Sequence, residues 1–319
     1  MLSTIMMAVL YIMPGSSPRY ELMRRPLQLF TRMLHGIEEG DIRALHRTRV
    51  ASRRLRELLP ILQLDNDLMR KLGRRLRDVT RRLGVVRELD VLLLILEDLR
   101  ESGRYTEGAL VPVIRAVTAE REDARKRLRG KLSTTELRKL AGKLDHVSVR
   151  LDAAGSAVDR RHEKAWRWAL EARIANRAER LDRAVREAGA VYLPERLHAV
   201  RIAVKKLRYG VELRARATGT KDEADLRTLK RVQDALGRMH DLQVLIDRVR
   251  QVQAALVPPD TGVWGHLDGL VNGLEDDCRR LHARYMRARP ALAALCARSV
   301  ARPHAGSSGR TTSRRAAAG

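Results

Sequence analysis

The sequence predicts an all-α protein: two four-helix bundles from an internal duplication, related by a pseudo-twofold axis. Three observations predict it. Strong helix formers dominate, and apolar residues recur three and four apart. No segment alternates apolar and polar residues as a half-buried strand does. Two blocks also repeat in order. Leu45 to Arg56 matches Leu197 to Arg208 at an offset of 152 residues. Leu83-Gly84, Glu88-Leu89 and Val91-Leu92 match Leu236-Gly237, Asp241-Leu242 and Val244-Leu245 at an offset of 153.

The elements follow in chain order. Residues 1–19 hold an apolar run from Ile5 to Met13, then Pro14, Gly15 and two serines. The run lacks the basic leader and clear cleavage site of a signal peptide, so it reads as a disordered extension, with a membrane anchor as the alternative. The helical body is expected over 20–300, its first repeat at about 20–152 and its second at about 157–296. Breakers at Gly36–Gly40, Asn66, Gly84, Gly103–Gly108, Gly130, Gly155, Gly189, Pro194, Gly219, Gly237 and Pro258-Pro259 are expected to divide it. The pieces are then helices of about 15–30 residues joined by short loops. Residues 301–319 are rich in Arg, Ser, Gly and Ala and read as a disordered basic tail.

Charge decides the class of partner. Fifty-four arginines and ten lysines stand against 39 acids, a net charge of +25 in 319 residues. A hydrophobic content of 44% is enough for a core, so the chain is not a basic disordered protein. No apolar run reaches the roughly 18 residues that span a bilayer, so no transmembrane segment is expected. Cys278 and Cys296 cannot staple a disulfide scaffold, and they suggest a reducing compartment, the cytoplasm. The charge implies a polyanion: nucleic acid, an anionic membrane surface or a polyphosphate. Ten aromatics in the whole chain count against a binder that stacks single-stranded bases on rings.

The repeat places part of that charge. Leu197, Val200, Val204, Leu207 and Val211 are spaced 3, 4, 3, 4 and make one apolar helix face. Shifted by one residue, His198, Arg201, Lys205 and Arg208 form a basic stripe beside it. In the first copy Leu45, Leu55, Leu59 and Leu62 mark the buried side, with Thr48 and Ser52 between. His46, Arg49, Arg53 and Arg56 flank it. Each stripe runs roughly 15 Å. Like charges at these spacings repel by a few tenths of a kcal/mol per pair. Neither stripe interleaves an acid, which suggests a groove or channel with an anion in it. The plainer alternative is that the stems snorkel along the core edge with their heads in water. A second row, Arg74, Arg77 and Arg81, has a shorter counterpart in Arg227 and Lys230. Arg87 and His240 follow at matching places.

These residues resemble a known family. His46 to Arg56 resembles the first signature of the CHAD domain, the conserved-histidine α-helical domain. His198 to Arg208, with Tyr209 and Glu212, resembles its second. The runs 83–91 and 236–242 are similar to its inter-helix turns, with Glu88 where Asp is usual and His240 where Asn is common. The resemblance covers roughly 22–296. It implies two four-helix bundles around a basic central channel that binds inorganic polyphosphate, and in some members location at polyphosphate granules. His46, Arg49, Arg53, Arg54 and Arg56 would line one wall. His198, Arg201, Lys205, Lys206 and Arg208 would line the other. The chemistry suits the ligand: arginine binds successive phosphates bidentately and lysine adds point charges. Histidines near a polyanion favour the imidazolium, so binding is expected to be tighter at about pH 6 than at about pH 8.

Other functions are weighed against this. A metal site needs ligands that the stripes lack: no His-x-x-x-His occurs and no carboxylate lies in either row. A phosphoacceptor histidine would need an adjacent acid and an ATP-binding loop. A triphosphate hydrolase would need a Glu-x-Glu-x-Lys strand; the nearest run, Glu120 to Lys126, has its lysine misplaced in a helical pattern. No catalytic role, cofactor or metal is expected. Nucleic-acid binding through net charge is the main competitor, with association to the nucleoid as its location. Trp166 and Trp168 face different ways on a helix, and a packing role is expected for them. The sequence leaves the oligomeric state open.

Overall fold

The computed structural model describes residues 18–156, 160–220, 222–256 and 260–305. Among these residues the chain is helical without strands, as the sequence predicts. The helices are α1 (Pro18–Arg32), α2 (Leu34–Glu38), α3 (Ile42–Leu58), α4 (Asn66–Glu101), α5 (Glu107–Lys131) and α6 (Thr134–Ser156), then α7 (Arg160–Ala188), α8 (Pro194–Thr218), α9 (Glu223–Ala254) and α10 (Thr261–Ala305). A single 3-10 turn, Leu59–Ile61, follows α3.

Local chemistry sets the helix ends. Asp41 caps α3, its carboxylate accepting from the amides of Arg43 at 2.8 Å and Ala44 at 3.2 Å. Asp65 does the same for α4 through Asp67 and Leu68, and those amides hold its pKa down. Pro194 opens α8, where its missing N–H is not needed. Gly219 closes α8 in the left-handed region, φ 68°, with its amide on the Ala215 carbonyl.

The order of packing is the same in the two halves. In the first, α1 packs on α3, α3 on α4, α4 on α5, and α6 returns to α1. In the second, α7 packs on α8, α8 on α9, α9 on α10, and α10 returns to α7. One 45-residue helix, α10, therefore spans what α5 and α6 do together. The apolar residues of both halves join in one core. The five apolar residues of α8 named above are buried, as are Leu45, Leu55, Leu59 and Leu62. Thr48 and Ser52 are buried too, and the Ser52 hydroxyl meets that of Thr80 on α4 at 3.0 Å.

Several boundaries differ from expectation. Gly84 and Gly237 do not end helices; they lie inside α4 and α9. The buried stripe runs straight through each, with Leu83, Val86 and Leu89 in α4 and Leu236, Met239 and Leu242 in α9. That packing outweighs the roughly 1 kcal/mol a lone helical glycine loses. Gly130 and Gly155 also fall within helices, near their ends. Pro18 and Arg19 belong to α1 and residues 301–305 to α10. The expected extension over 1–17 and the tail over 306–319 lie outside the described residues. Trp166 is fully buried, whereas its neighbour Trp168 is 71% exposed, so packing accounts for the first alone. No helix among the described residues is long and apolar enough to cross a membrane.

Candidate anion-binding site

The two basic stripes lie on α3 and α8. These helices meet through long side chains, since their backbones do not pack closely. Arg53 illustrates the contact: its guanidinium lies 5.4 Å from the ring centre of Tyr209 on α8. Arg208 lies on the same ring at 5.4 Å. Each is a cation–π contact, which stabilises a cation without neutralising it.

The electrostatics show four cations crowding one space. Lys205 has its pKa lowered to about 8, by burial first, then by Arg53, Arg201, Arg49 and Arg56. Arg49 is lowered to about 10, by burial and then Arg53, with Tyr209 opposing and Arg87 and Arg201 adding. Arg201 is lowered by burial, with Asp241 and Glu88 opposing and Arg53 adding. Arg49 and Arg53 each bury an Nε that has no hydrogen-bond partner. Arg49, Arg53, Arg201 and Lys205 therefore repel one another in a half-buried setting, relieved on the Arg201 side by Asp241 and Glu88.

Histidines frame the cluster. Burial, then Arg87, Arg49, Arg53 and Arg47, lowers the pKa of His46. His198 is lowered by burial, Arg201 and Lys205, with Glu195 opposing. Its Nδ1 lies 3.3 Å from Nδ1 of His240 on α9. Burial, Arg201, His198 and Lys205 bring His240 down to about 4. All three are therefore mostly neutral imidazoles at neutral pH without a ligand. The tighter binding expected at lower pH is thereby displaced to the range below about 6.5.

A cleft of about 1120 Å³ lies between the end of α3, the start of α4, α7 and α8; Arg49, Arg53, Arg201 and Lys205 are not among the residues that line it. Arg56, Arg74, Arg77 and Lys206 line it, as the sequence suggested. So do Arg173, Arg177 and Arg180 of α7, which the sequence reading missed. Their spacing of 4 and 3 is the signal that marked the other rows. The acid on this wall is Glu57, 8% exposed. Arg177 donates to it, and Arg56 and Arg173 stand at 3.5 and 3.7 Å. The same Arg177 reaches the Lys206 carbonyl at 2.8 Å, tying α3, α7 and α8 together. A smaller cavity of about 410 Å³ adjoins, sharing Arg56 and Arg77 and adding Arg49, Arg81 and Arg248. Gly84 borders it; a Cβ there would stand 3.5 Å from the Arg49 Nε. Its acids are Glu88 and Glu120, the latter bound to Arg248 at 2.8 Å.

Other expected residues are placed elsewhere. Arg208 donates to Glu212 at 2.6 Å and Gln233 at 2.9 Å, and it lines neither cavity. The acid that neutralises it sits one turn beyond the stripe. Arg54 faces a small space beneath α1 with Leu22, Pro26 and Arg216. Arg227 and Lys230 are exposed and paired with Glu223 at 3.4 Å and Asp234 at 2.7 Å, away from both cavities. Arg81 borders the smaller cavity but is engaged by Asp78. Among the described residues, no group of three or more His, Cys, Asp and Glu is placed to hold a metal ion.

The CHAD domain family model matches residues 24–250. The chain belongs to the CHAD domain family. Two solved structures share the fold. PptA from Streptomyces chartreusis is 18% identical, with a TM-score of 0.63, covering 86% of this chain and 98% of its own. The CHAD domain from the plant Ricinus communis is 22% identical, with a TM-score of 0.50, covering 83% of this chain and 93% of its own. No curated protein matches the chain. The CHAD match ends within α9, and α10, which packs on α9 and α7, lies beyond it.

Proposed function

We propose that this CHAD protein binds inorganic polyphosphate in the basic cleft and does so as a binder, not as a catalyst. One observation carries the reading: cations from α3, α4, α7 and α8 converge on one cleft whose acid, Glu57, is already engaged by arginines. Polyphosphate is a flexible line of closely spaced charges without bases. Arg49, Arg53, Arg201 and Lys205 would engage it from both sides, with Arg56, Arg77 and the α7 row continuing the path. Bidentate arginine contacts supply strength, and lysine tolerates a shifting phosphate. Membership of the CHAD family supports the same ligand class. We further infer that the matching helix orders of the halves reflect duplication about a pseudo-twofold axis, with the facing stripes as its central channel. Association with polyphosphate granules in the cytoplasm would follow from the ligand.

Duplex DNA is the competitor to exclude, since the net charge alone would attract it. The test is a titration of long-chain polyphosphate into the wild type and R49E/R201E. The reading expects at least a hundredfold loss in the variant and retention of polyphosphate by the wild type in excess duplex DNA. Displacement by DNA at equal charge concentration, or an unaltered R49E/R201E, would overturn it.

A further inference from the structure

A second arginine-lined cleft, of about 560 Å³, lies between α9 and α10, apart from the site above. Arg231 and Arg238 of α9 and Arg284 and Arg287 of α10 line it, over an apolar floor of Val232, Ala235, Leu281 and Ala288.

The pairing of arginines on these two helices singles the cleft out. On α9, Arg227 pairs with Glu223, Arg248 with Glu120 and Arg250 with Glu275. On α10, Arg279 and Arg280 pair with Asp276 and Asp277, Arg298 pairs with Asp225, and Arg289 caps the end of α7 through the Gly189 carbonyl. Among the arginines of α9 and α10 whose side chains are described, the four without a hydrogen bond or close ion pair are those lining the cleft, and of these Arg238 is attracted at longer range by Asp241. Its one acid, Asp234, is taken by Lys230 at 2.7 Å. Arg231, Arg284 and Arg287 are exposed and Arg238 is half-buried, so their heads are free to reach an anion in the cleft. Arg284 and Arg287 also repel each other at i,i+3 with no offset. At the repeat offset the α9 positions fall on Asp78 and Val85 of α4, so the α9 side of the arrangement has no counterpart in the first half.

We propose that this cleft is a separate anion site that takes a triphosphate group. Four guanidinium groups match the charge of a triphosphate, and planar forks bind its oxygens in pairs. The apolar floor leaves room for an organic substituent, so the group is either inorganic tripolyphosphate or the phosphate chain of a nucleoside triphosphate. The site stands independently of the polyphosphate reading.

Calorimetric titration with sodium tripolyphosphate, and separately with ATP, tests it. Four proteins are compared: wild type, R49E/R201E, R284E/R287E and the quadruple variant. In R49E/R201E a residual tripolyphosphate site is expected, weakened at least tenfold in the quadruple variant. R284Q/R287Q, which removes the charges without reversing them, is expected to act in the same direction if the reversal disturbs folding, which circular dichroism reports. Equal residual binding of ATP assigns the nucleoside-borne form, and binding of tripolyphosphate alone assigns the inorganic one. Residual binding that R284E/R287E leaves unaltered, or its absence in R49E/R201E, overturns the site. Loss of all binding in R284E/R287E, with binding by R49E/R201E undiminished, would instead sink the central reading and leave this one standing.

Discussion

Lys205 shows how a single residue reports on the ligand. Its pKa of about 8 in the free protein reflects burial and then its arginine neighbours. A bound polyanion reverses the Coulomb part and raises that pKa, so the complex holds more protons than the free protein above about pH 8. Affinity is expected to fall about tenfold between roughly pH 7 and pH 9, and K205R to remove most of that fall. An equal fall in K205R would place the proton elsewhere. His240 gives the opposite limb. Its folded pKa is about 4 against an unfolded value of 6.5. The unfolded chain therefore binds the proton first, and ligand-free stability is expected to drop as pH falls from about 6.5 to 4. H240N should flatten part of that drop in a thermal-melt series. Polyphosphate affinity should rise over the same interval, because the ligand favours the imidazolium.

Whole helices explain what the sequence revealed and what it hid. The buried faces of α3 and α8 were legible because a period of three and four needs no tertiary information. Gly84 and Gly237 misled because glycine marks a boundary only when no partner fills the face on either side, and α4 and α9 have such partners. The position of the second arginine row was half legible: Arg74 and Arg77 reach the cleft, while Arg227 and Lys230 do not. Their salt bridges depend on Glu223 and Asp234 one turn away, and a stripe read alone omits those. The α7 row was missed because it lies outside the repeated blocks. Two substitutions test the continuous helices. A Cβ at 237 meets nothing within 4 Å, and one at 84 makes an ordinary contact with Arg49. G84A and G237A are each expected to stabilise the fold by about 0.8 kcal/mol, raising the melting temperature by a few degrees. A decrease for both would argue for breaks at these glycines. The Glu57 clamp behaves differently. E57A leaves Arg177, 7% exposed, without its counter-charge and is expected to destabilise by about 3 kcal/mol in chemical denaturation.

At the scale of the molecule, the net charge of +25 divides into paired and unpaired parts. Exposed pairs such as Arg70–Asp67 and Lys126–Asp123 contribute little. Part of the unpaired charge lines the central cleft, at Arg74, Arg77 and Lys206, and there it shapes the response to salt. If about six phosphates are neutralised in the central path, log affinity should fall against log salt with a slope of roughly −4. R173E/R180E should make the slope shallower by about one to two units while leaving the helical content intact. A slope near zero would mean that the charges are not where the ligand sits. This separation was not legible in composition, which counts charges without saying which of them have found partners.

The crowding of Arg49, Arg53, Arg201 and Lys205 bears on how such a protein tolerates change over generations. Selection for heat resistance alone, with no polyanion present, would reward variants that dilute this cluster, since each lost charge relieves its neighbours. The same selection run with polyphosphate would purge those variants. The positions where the two outcomes diverge would trace the ligand's path through the molecule without any labelled substrate.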